Sequence, residues 1–345
     1  FEAGRRNVRP FSYLRAGDVT EAVREAFAAG TKFIAGGTNL LDLMKEDVER
    51  PMRLIDINHL PLDRIKETPT GGLRLGALVR NSDAAYDPRV ADRYPLLASA
   101  LLAGASPQLR NAATIGGNIM QRTRCYYFYD TATPCNKRKP GSGCGAIGGV
   151  NRIHAILGAS DSCIATHPSD MCVALAALNA EVRLVSPDGA EHIIPFEDFH
   201  RLPGDTPHIE TNLLPGELIT AVDLPNEVFN KHYTYLKIRD RLSYAFALVS
   251  VAAALHIEND RITDARIALG GVAHKPWRDK DAEQLLIGKS PERQHFQAVA
   301  DAILRDAQGQ GDNDFKIPLA HRTIVRALEQ AASGTPQSQI DKRIA

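Results

Sequence analysis

Between Gln121 and Pro168 the chain loses its hydrophobic periodicity. The stretch QRTRCYYFYDTATPCNKRKPGSGCGAIGG is rich in turn residues, aromatics and bases, with no apolar positions at helix or strand spacing. A segment this long cannot bury a core of its own, so something must hold it in place while the chain folds on either side. Four of the five cysteines fall inside it. Cys125, Cys135, Cys144 and Cys163 have nine, eight and eighteen residues between successive members. Four thiolates suit [4Fe–4S], [2Fe–2S] or zinc by number, and the lack of CxxC pairs does not choose among them; disulfides or free thiols are the other readings. An odd cysteine total, mostly in one loop, argues for a ligand set over a secreted disulfide framework.

Other residues of the loop carry two readings each. Arg122, Arg124, Lys137, Arg138 and Lys139 would offset the charge of a thiolate-held centre, or form a solvated face. Tyr126, Tyr127, Phe128 and Tyr129 would shield such a centre or make a satellite core. His154 and His167 flank Cys163 as mixed-site ligands or ordinary polar residues. Cys172, on the apolar stripe of a helix, reads as a buried core thiol.

On either side the chain is regular. TEAVREAFAAG (20–30) reads as a helix, KFIAGGTNLLDLMK (32–45) as strand, glycine turn and helix, and MRLIDI (52–57) and LRLGAL (73–78) as strands. A helix capped at Asn81 or Ser82 should break before Pro88, LLASALLAGA (96–105) is helical, and 108–120 reads as a polar loop. MCVALAALNAEVRLV (171–185) is helix then strand, and 203–218 is a Pro/Gly-rich crossing. From about 230 come a strand, AFALVSVAAALHI as helix or strand, a hairpin signal at ENDR, and amphipathic helices to 335. The tail from 336 is expected to be loose.

Two glycine turns carry the chemistry. AGGTNLL (35–41) puts Gly36 and Gly37 between a strand and a helix start, where free amides, with Thr38 and Asn39, suit a phosphate. A plain turn needing glycine for geometry is the equal alternative. TIGGN (114–118) would supply a second backbone cradle through Thr114, Gly117 and Asn118, or is a hairpin turn. Two look-alikes fail. Gly143 to Gly148 matches GxGxxG without a strand leading in, and LLIGKS has Glu283 at the first glycine of a P-loop.

Composition excludes little but usefully. Basic and acidic residues balance at 41 each, so no electrostatic footprint for nucleic acid is visible. The longest apolar run, 245–257, is too short to span a bilayer. FEAGRRNVRPFSYLR lacks the apolar stretch and cleavage site of a secretory signal, so export would depend on a partner.

KFIAGGTNLLDLMK, ATIGGN, PSDMCVALAALNAEVRL, LLPGELI, Tyr235-Leu-Lys237 and IALGGVAHKPWR, in this order, resemble the medium FAD subunit of molybdenum hydroxylases. With the cysteine loop, the chain is most similar to the FAD subunits of bacterial periplasmic aldehyde oxidoreductases. The resemblance implies an α+β fold. A two-subdomain FAD-binding domain of the vanillyl-alcohol-oxidase (PCMH) type would span 1–228, with subdomains about 1–60 and 61–228 and an iron–sulfur insertion at 119–168. A C-terminal α+β domain of the CO-dehydrogenase flavoprotein type would span 229–335, with a tail at 336–345. Residues Lys32, Phe33, Ile34, Ala35, Gly36, Gly37, Thr38, Asn39 and Leu40 would wrap the FAD pyrophosphate. Thr114, Gly117 and Asn118 would form a second phosphate loop. Asp170 would accept hydrogen bonds from the ribose–adenine side, where a helix N-cap is the plainer reading. Lys237 would sit near the flavin or its phosphates, or be an exposed strand charge. Leu213 and Gly104 would neighbour the flavin ring, though Leu213 would serve equally as core.

By the same resemblance the four cysteines would hold [4Fe–4S], with no catalytic residue on this chain. Substrate oxidation would occur on a large molybdenum-cofactor subunit. Electrons would reach FAD through a small subunit with two [2Fe–2S] centres and leave to an external acceptor, in a periplasmic or else cytoplasmic heterotrimer. A flavin-free, metal-organised assembly subunit and a freestanding flavin oxidase are the competing readings.

Overall fold

The computed structural model describes residues 8–226 and 229–340. Residues 1–7, the expected boundary at 228/229 and the tail end 341–345 lie outside the described residues.

Three sheets succeed one another along the chain. The first is parallel, in the order β1 (Ser12–Arg15), β3 (Arg53–Asp56), β2 (Thr31–Ile34). The helix Val19–Ala26 crosses between β1 and β2, capped by the Asp18 carboxylate on the Glu21 amide and burying Ala22 and Val23. Its parallel connection requires that crossover. The second sheet is antiparallel, in the order β4 (Ile65–Glu67), β5 (Leu73–Gly76), β8 (Leu218–Leu224), β6 (Glu181–Val185), β7 (Glu191–Pro195). Helices Pro95–Ala103 and Asp170–Ala177 are buried almost all round and join it in the largest core. The third sheet is the meander β9 (His232–Ile238), β10 (Val249–Glu258), β11 (Arg261–Gly270), β12 (Trp277–Arg278). Helices Arg293–Ile303 and Lys316–Ser333 cover one face of it through a second core.

Most regular elements fall where apolar spacing places them, and four expectations change. The ambiguous run at 245–257 becomes the strand β10 from Val249 onward, and its hairpin turns on Asn259 and Asp260, both at positive φ (49° and 59°). Asparagine and aspartate tolerate that region, which suits a two-residue turn. The stretch 108–120 is not a plain loop, because short helices form at Pro107–Arg110 and Ile115–Ile119. Asn81 and Ser82 do not cap their helix; Arg80 is the N-cap position, without a side-chain bond. The start of the tail is not loose: the Gln337 amide donates to Thr234 Oγ1 at 2.9 Å, and its side-chain oxygen accepts from the Lys237 amide at 3.0 Å.

The segment 121–168 is irregular, as its composition predicts, with one short helix at Tyr126–Tyr129. It does, however, bury a core. Cys125, Phe128, Cys135, Ala146, Cys163, Ile164 and Ala165 pack with Leu43 of the first unit. Farther on, Ile156 and Leu157 join the core of the third sheet, and both amides donate to the Val272 carbonyl. The segment is thus sewn to both flanks and has no need to be self-sufficient.

Candidate cofactor site and thiol centre

A cavity of about 470 Å3 opens between the first two sheets. That is within the usual range of small-molecule and cofactor sites. Every residue from Lys32 to Leu40 lines it, as do Thr114, Gly117 and Leu213. Gly104, Asn118, Asp170 and Lys237 are not among its lining residues.

The first glycine turn behaves as both of its readings require. Gly37 adopts φ 69°, a left-handed conformation that glycine takes without strain. A Cβ on Gly36 would overlap the Ala112 carbonyl oxygen, so the glycine lets the turn press against the backbone leading into the second one. The amides of Gly36 to Asn39 have no backbone acceptor among the described residues, as expected just ahead of a helix. The second turn differs from its expectation. Thr114 caps the helix Ile115–Ile119, and its Oγ1 accepts from the Gly117 amide at 3.2 Å. Ile115, Gly116 and Asn118 donate to the carbonyls of Val79, Ala77 and Thr114. The turn therefore supplies a wall and not a cradle of free amides, because the short helix and the sheet edge consume its donors.

Asp170 and Lys237 are partners of each other. The Lys237 ammonium lies 2.8 Å from Asp170 Oδ2 and 3.2 Å from the Ala103 carbonyl, and the Tyr235 hydroxyl donates to Asp170 Oδ1 at 2.7 Å. Both charged groups are buried, so Lys237 is no exposed strand charge, and Ser169, not Asp170, caps the helix. Gly104 belongs to the same cluster, since a Cβ there would stand 3.3 Å from Asp170 Oδ2. Asn118 links it to the glycine turn by accepting from the Ser169 hydroxyl at 2.7 Å.

The far wall of the cavity joins Arg122, Lys137 and His167 to Glu210, His200 and His274, which the sequence did not single out. Glu210 accepts from Arg122 Nε at 2.8 Å and Lys137 Nζ at 2.6 Å, while Arg122 also pairs with Glu49. Burial alone would raise the Glu210 carboxyl, but the two cations override it and hold it well below the usual carboxylate range. His167, His200 and His274 line the same wall, and burial lowers all three, His200 to about 4, so they are neutral imidazoles. Of eleven buried side-chain polar atoms without a partner among the described residues, six line this one cavity: Thr31 Oγ1, Asn39 Nδ2, His167 Nε2, His200 Nδ1 and both nitrogens of His274. Buried polar groups are normally paired, so a concentration of orphans around one space is the mark of a ligand that supplies the partners. His200, Glu210 and His274 come from separate segments with no shared spacing, and no local signal in the sequence joins them. His167 and His200 also bring ring nitrogens within 4.8 Å of the Cys172 sulfur, so Cys172 is a core thiol with polar company.

The four loop cysteines pack into one buried region. All are free thiols in one cluster, with Cys135 and Cys144 facing each other across a short antiparallel bridge. Burial pushes Cys125 up to about 11. Cys144 and Cys163 share a hydrogen bond, and Cys144, backed by the amides of Ala146, Ile147 and Ile164, is the partner that gives up its proton first. The basic residues do not form a solvated face. Arg122 and Lys137 are bound as described, Arg124 pairs with Asp42 at 3.1 Å, and Arg138 donates to the carbonyls of Tyr127, Phe128 and Thr133. Lys139 alone of the five is exposed.

The glycine-edged cavity and its unpartnered polar atoms suit a nucleotide cofactor. Known families agree: the FAD binding domain in molybdopterin dehydrogenase matches residues 9–227, and the CO dehydrogenase flavoprotein C-terminal domain matches 232–331. The chain belongs to the FAD-binding medium subunits of the molybdenum hydroxylase family, which serve oxidoreductase complexes. It is 54% identical to the aldehyde oxidoreductase FAD-binding subunit PaoB of Escherichia coli K12, over 94% of this chain and 99% of that one. It is 30% identical to the glyceraldehyde dehydrogenase medium chain of Sulfolobus acidocaldarius, over 90% of each. A chain of the carbon monoxide dehydrogenase structure from Hydrogenophaga pseudoflava superposes with a TM-score of 0.74 at 27% identity, covering 95% of this chain and 99% of that one. No helix among the described residues is long and apolar enough to cross a membrane.

Proposed function

We propose that this chain is the electron-transfer FAD subunit of a heteromeric, molybdenum-dependent aldehyde oxidoreductase. It would take electrons from the [2Fe–2S] centres of a small subunit and pass them to an external acceptor, while a large molybdenum-cofactor subunit oxidises the substrate. Location in the periplasm, by export with a signal-bearing partner, belongs to the same reading. The observation that carries the FAD site is the set of six unpartnered polar atoms around the glycine-edged cavity. Lys32 to Leu40 would hold the pyrophosphate, the turn at Thr114 and Gly117 would pack beside it, and Leu213 would contact a ring. Asp170, Lys237, Asn118 and Gly104 would brace the site from behind. FAD supplies the exchange of one or two electrons; the protein supplies position and electrostatics.

Cys125, Cys135, Cys144 and Cys163 would hold a [4Fe–4S] cluster. Supporting this, the thiols converge from a loop that is pinned at both flanks. A tetrahedral zinc site would bring its sulfurs to roughly 3.8 Å from one another by its ordinary bond lengths. Here no three of the four meet even a 4.8 Å mutual spacing. Copurification with co-expressed neighbouring subunits, followed by FAD, iron, sulfide and molybdenum analysis, tests the whole reading. FAD and four irons per chain beyond those of the small subunit are expected. A complex without flavin absorption would overturn it.

A further inference from the structure

We propose that His154 is a fifth member of the thiol centre, a positioning residue whose Nε2–H donates to the Cys125 sulfur and raises the centre's reduction potential. The proposal rests on the reading of the loop as an iron–sulfur site.

His154 Nε2 lies 3.1 Å from Cys125 Sγ, and the ring is fully buried. Its other nitrogen, Nδ1, is buried with no partner among the described residues. Two neutral tautomers are available. With the proton on Nδ1, that N–H would turn toward the Asn151 carbonyl and leave the Nε2 lone pair facing the sulfur. With the proton on Nε2, only a lone pair is bare. Against a metal-bound thiolate, which can only accept, the 3.1 Å contact requires the proton on Nε2. A free thiol meets that role poorly, since its own hydrogen then needs a home inside an apolar cluster. A metal-bound thiolate meets it directly, and charge assistance strengthens the bond.

The ring is held, not merely nearby. Tyr126 and Tyr127 flank it, each with its centroid 6.4 Å away. The His154 carbonyl accepts from Lys316 Nζ at 2.7 Å and Asn313 Nδ2 at 3.2 Å. Lys316 is completely buried and also donates to the Gly271 carbonyl. The C-terminal helical layer therefore fixes the residue that touches the thiol centre. A positive hydrogen on a ligand sulfur favours the state with the extra electron, and so moves the potential upward.

The test uses the copurified complex, labelled with 15N-histidine and chemically reduced. Pulsed EPR of the cluster should show a 15N coupling that His154→Leu abolishes. In a redox titration His154→Leu should lower the cluster midpoint and leave the flavin midpoint and FAD content unchanged. His154→Gln, which keeps an N–H donor, should fall between. Should the leucine variant lose iron, the wild-type coupling decides. Iron present with no histidine coupling, or a full-iron leucine variant with an unmoved midpoint, overturns the proposal alone. A wild-type complex without the additional iron overturns the iron–sulfur reading and this proposal with it.

Discussion

Glu210→Gln removes the charge that joins the crossing segment 203–213 to the thiol loop. In the folded chain the carboxylate receives Arg122 at 2.8 Å and Lys137 at 2.6 Å. Its side chain keeps 24% of its surface open, toward the cavity, and protein encloses the rest. Arg122 retains Glu49 after the substitution, so the cost falls mainly on Lys137, whose side chain is 4% exposed and keeps only the Pro207 carbonyl. Removing one member of a buried pair typically costs about 3–5 kcal/mol. The remaining carbonyl and the new amide oxygen both still accept from Lys137, which places the expected loss near the lower end, about 3 kcal/mol. Urea unfolding followed by circular dichroism measures it, with hydrogen exchange over 121–140 locating it. The pair Glu210→Gln/Lys137→Met removes both charges and should recover most of the loss, because a buried pair is worth little against apolar groups of similar size. A single-variant loss below about 1 kcal/mol, or a double variant no more stable than the single, refutes the claim that this junction holds the loop.

Gly36→Ala drives a methyl into the Ala112 carbonyl and should part the two turns, reducing FAD per chain to a small fraction of wild type by flavin absorbance. Asp170→Asn leaves the buried Lys237 without its counter-charge and should destabilise by about 3 kcal/mol in the same urea assay, though the cavity lining is untouched. Acid should weaken the cavity wall before it attacks surface ion pairs. His167, His200 and His274 are depressed by burial, so their contribution is complete above the unfolded value near 6.5 and is lost as pH falls, for His200 through about 4. Each adds a slope of up to about 1.4 kcal/mol per pH unit in that window, and flavin release measured from pH 7 to 4 should follow it.

What was legible in the sequence followed local rules. Ala22 and Val23 mark a helical stripe, Asn259-Asp260 a hairpin, and Gly36-Gly37 a turn that side chains cannot enter. The four loop cysteines stood out as a group, and the fold packs them into one buried cluster. What was not legible depended on how local donors are spent. TIGGN promised free amides, but whether Gly116 and Gly117 keep theirs is decided by Ala77 on a sheet edge and by the Thr114 cap. Asp170 and Lys237 each looked like a cofactor contact, and only tertiary packing could reveal that they neutralise each other. The wall of His200, Glu210 and His274 has no local sequence signature, since its members meet only after separate segments have folded.

The thiol loop and the cavity are one structure, for a reason that lies in their shared residues. Arg122, Thr123 and Lys137 belong to the loop and line the cavity, while Cys125 and Cys135 lie two positions from Thr123 and Lys137. Ordering so long a segment costs conformational entropy at every residue, whereas closing the loop adds only a term that grows slowly with length. That ordering is offset where the loop buries Phe128 and Ile164 against Leu43, and Ile156 and Leu157 against the third sheet. Any change that frees the thiols therefore loosens the Arg122–Glu210–Lys137 junction, and with it the wall that a cofactor would rest on. With iron on the thiols as proposed, iron and flavin content should accordingly fall together in substitutions of Arg122 and Lys137, which belong to both loop and cavity. Substitutions of Asp18 or the Asn259-Asp260 turn, which touch neither, should leave both unchanged.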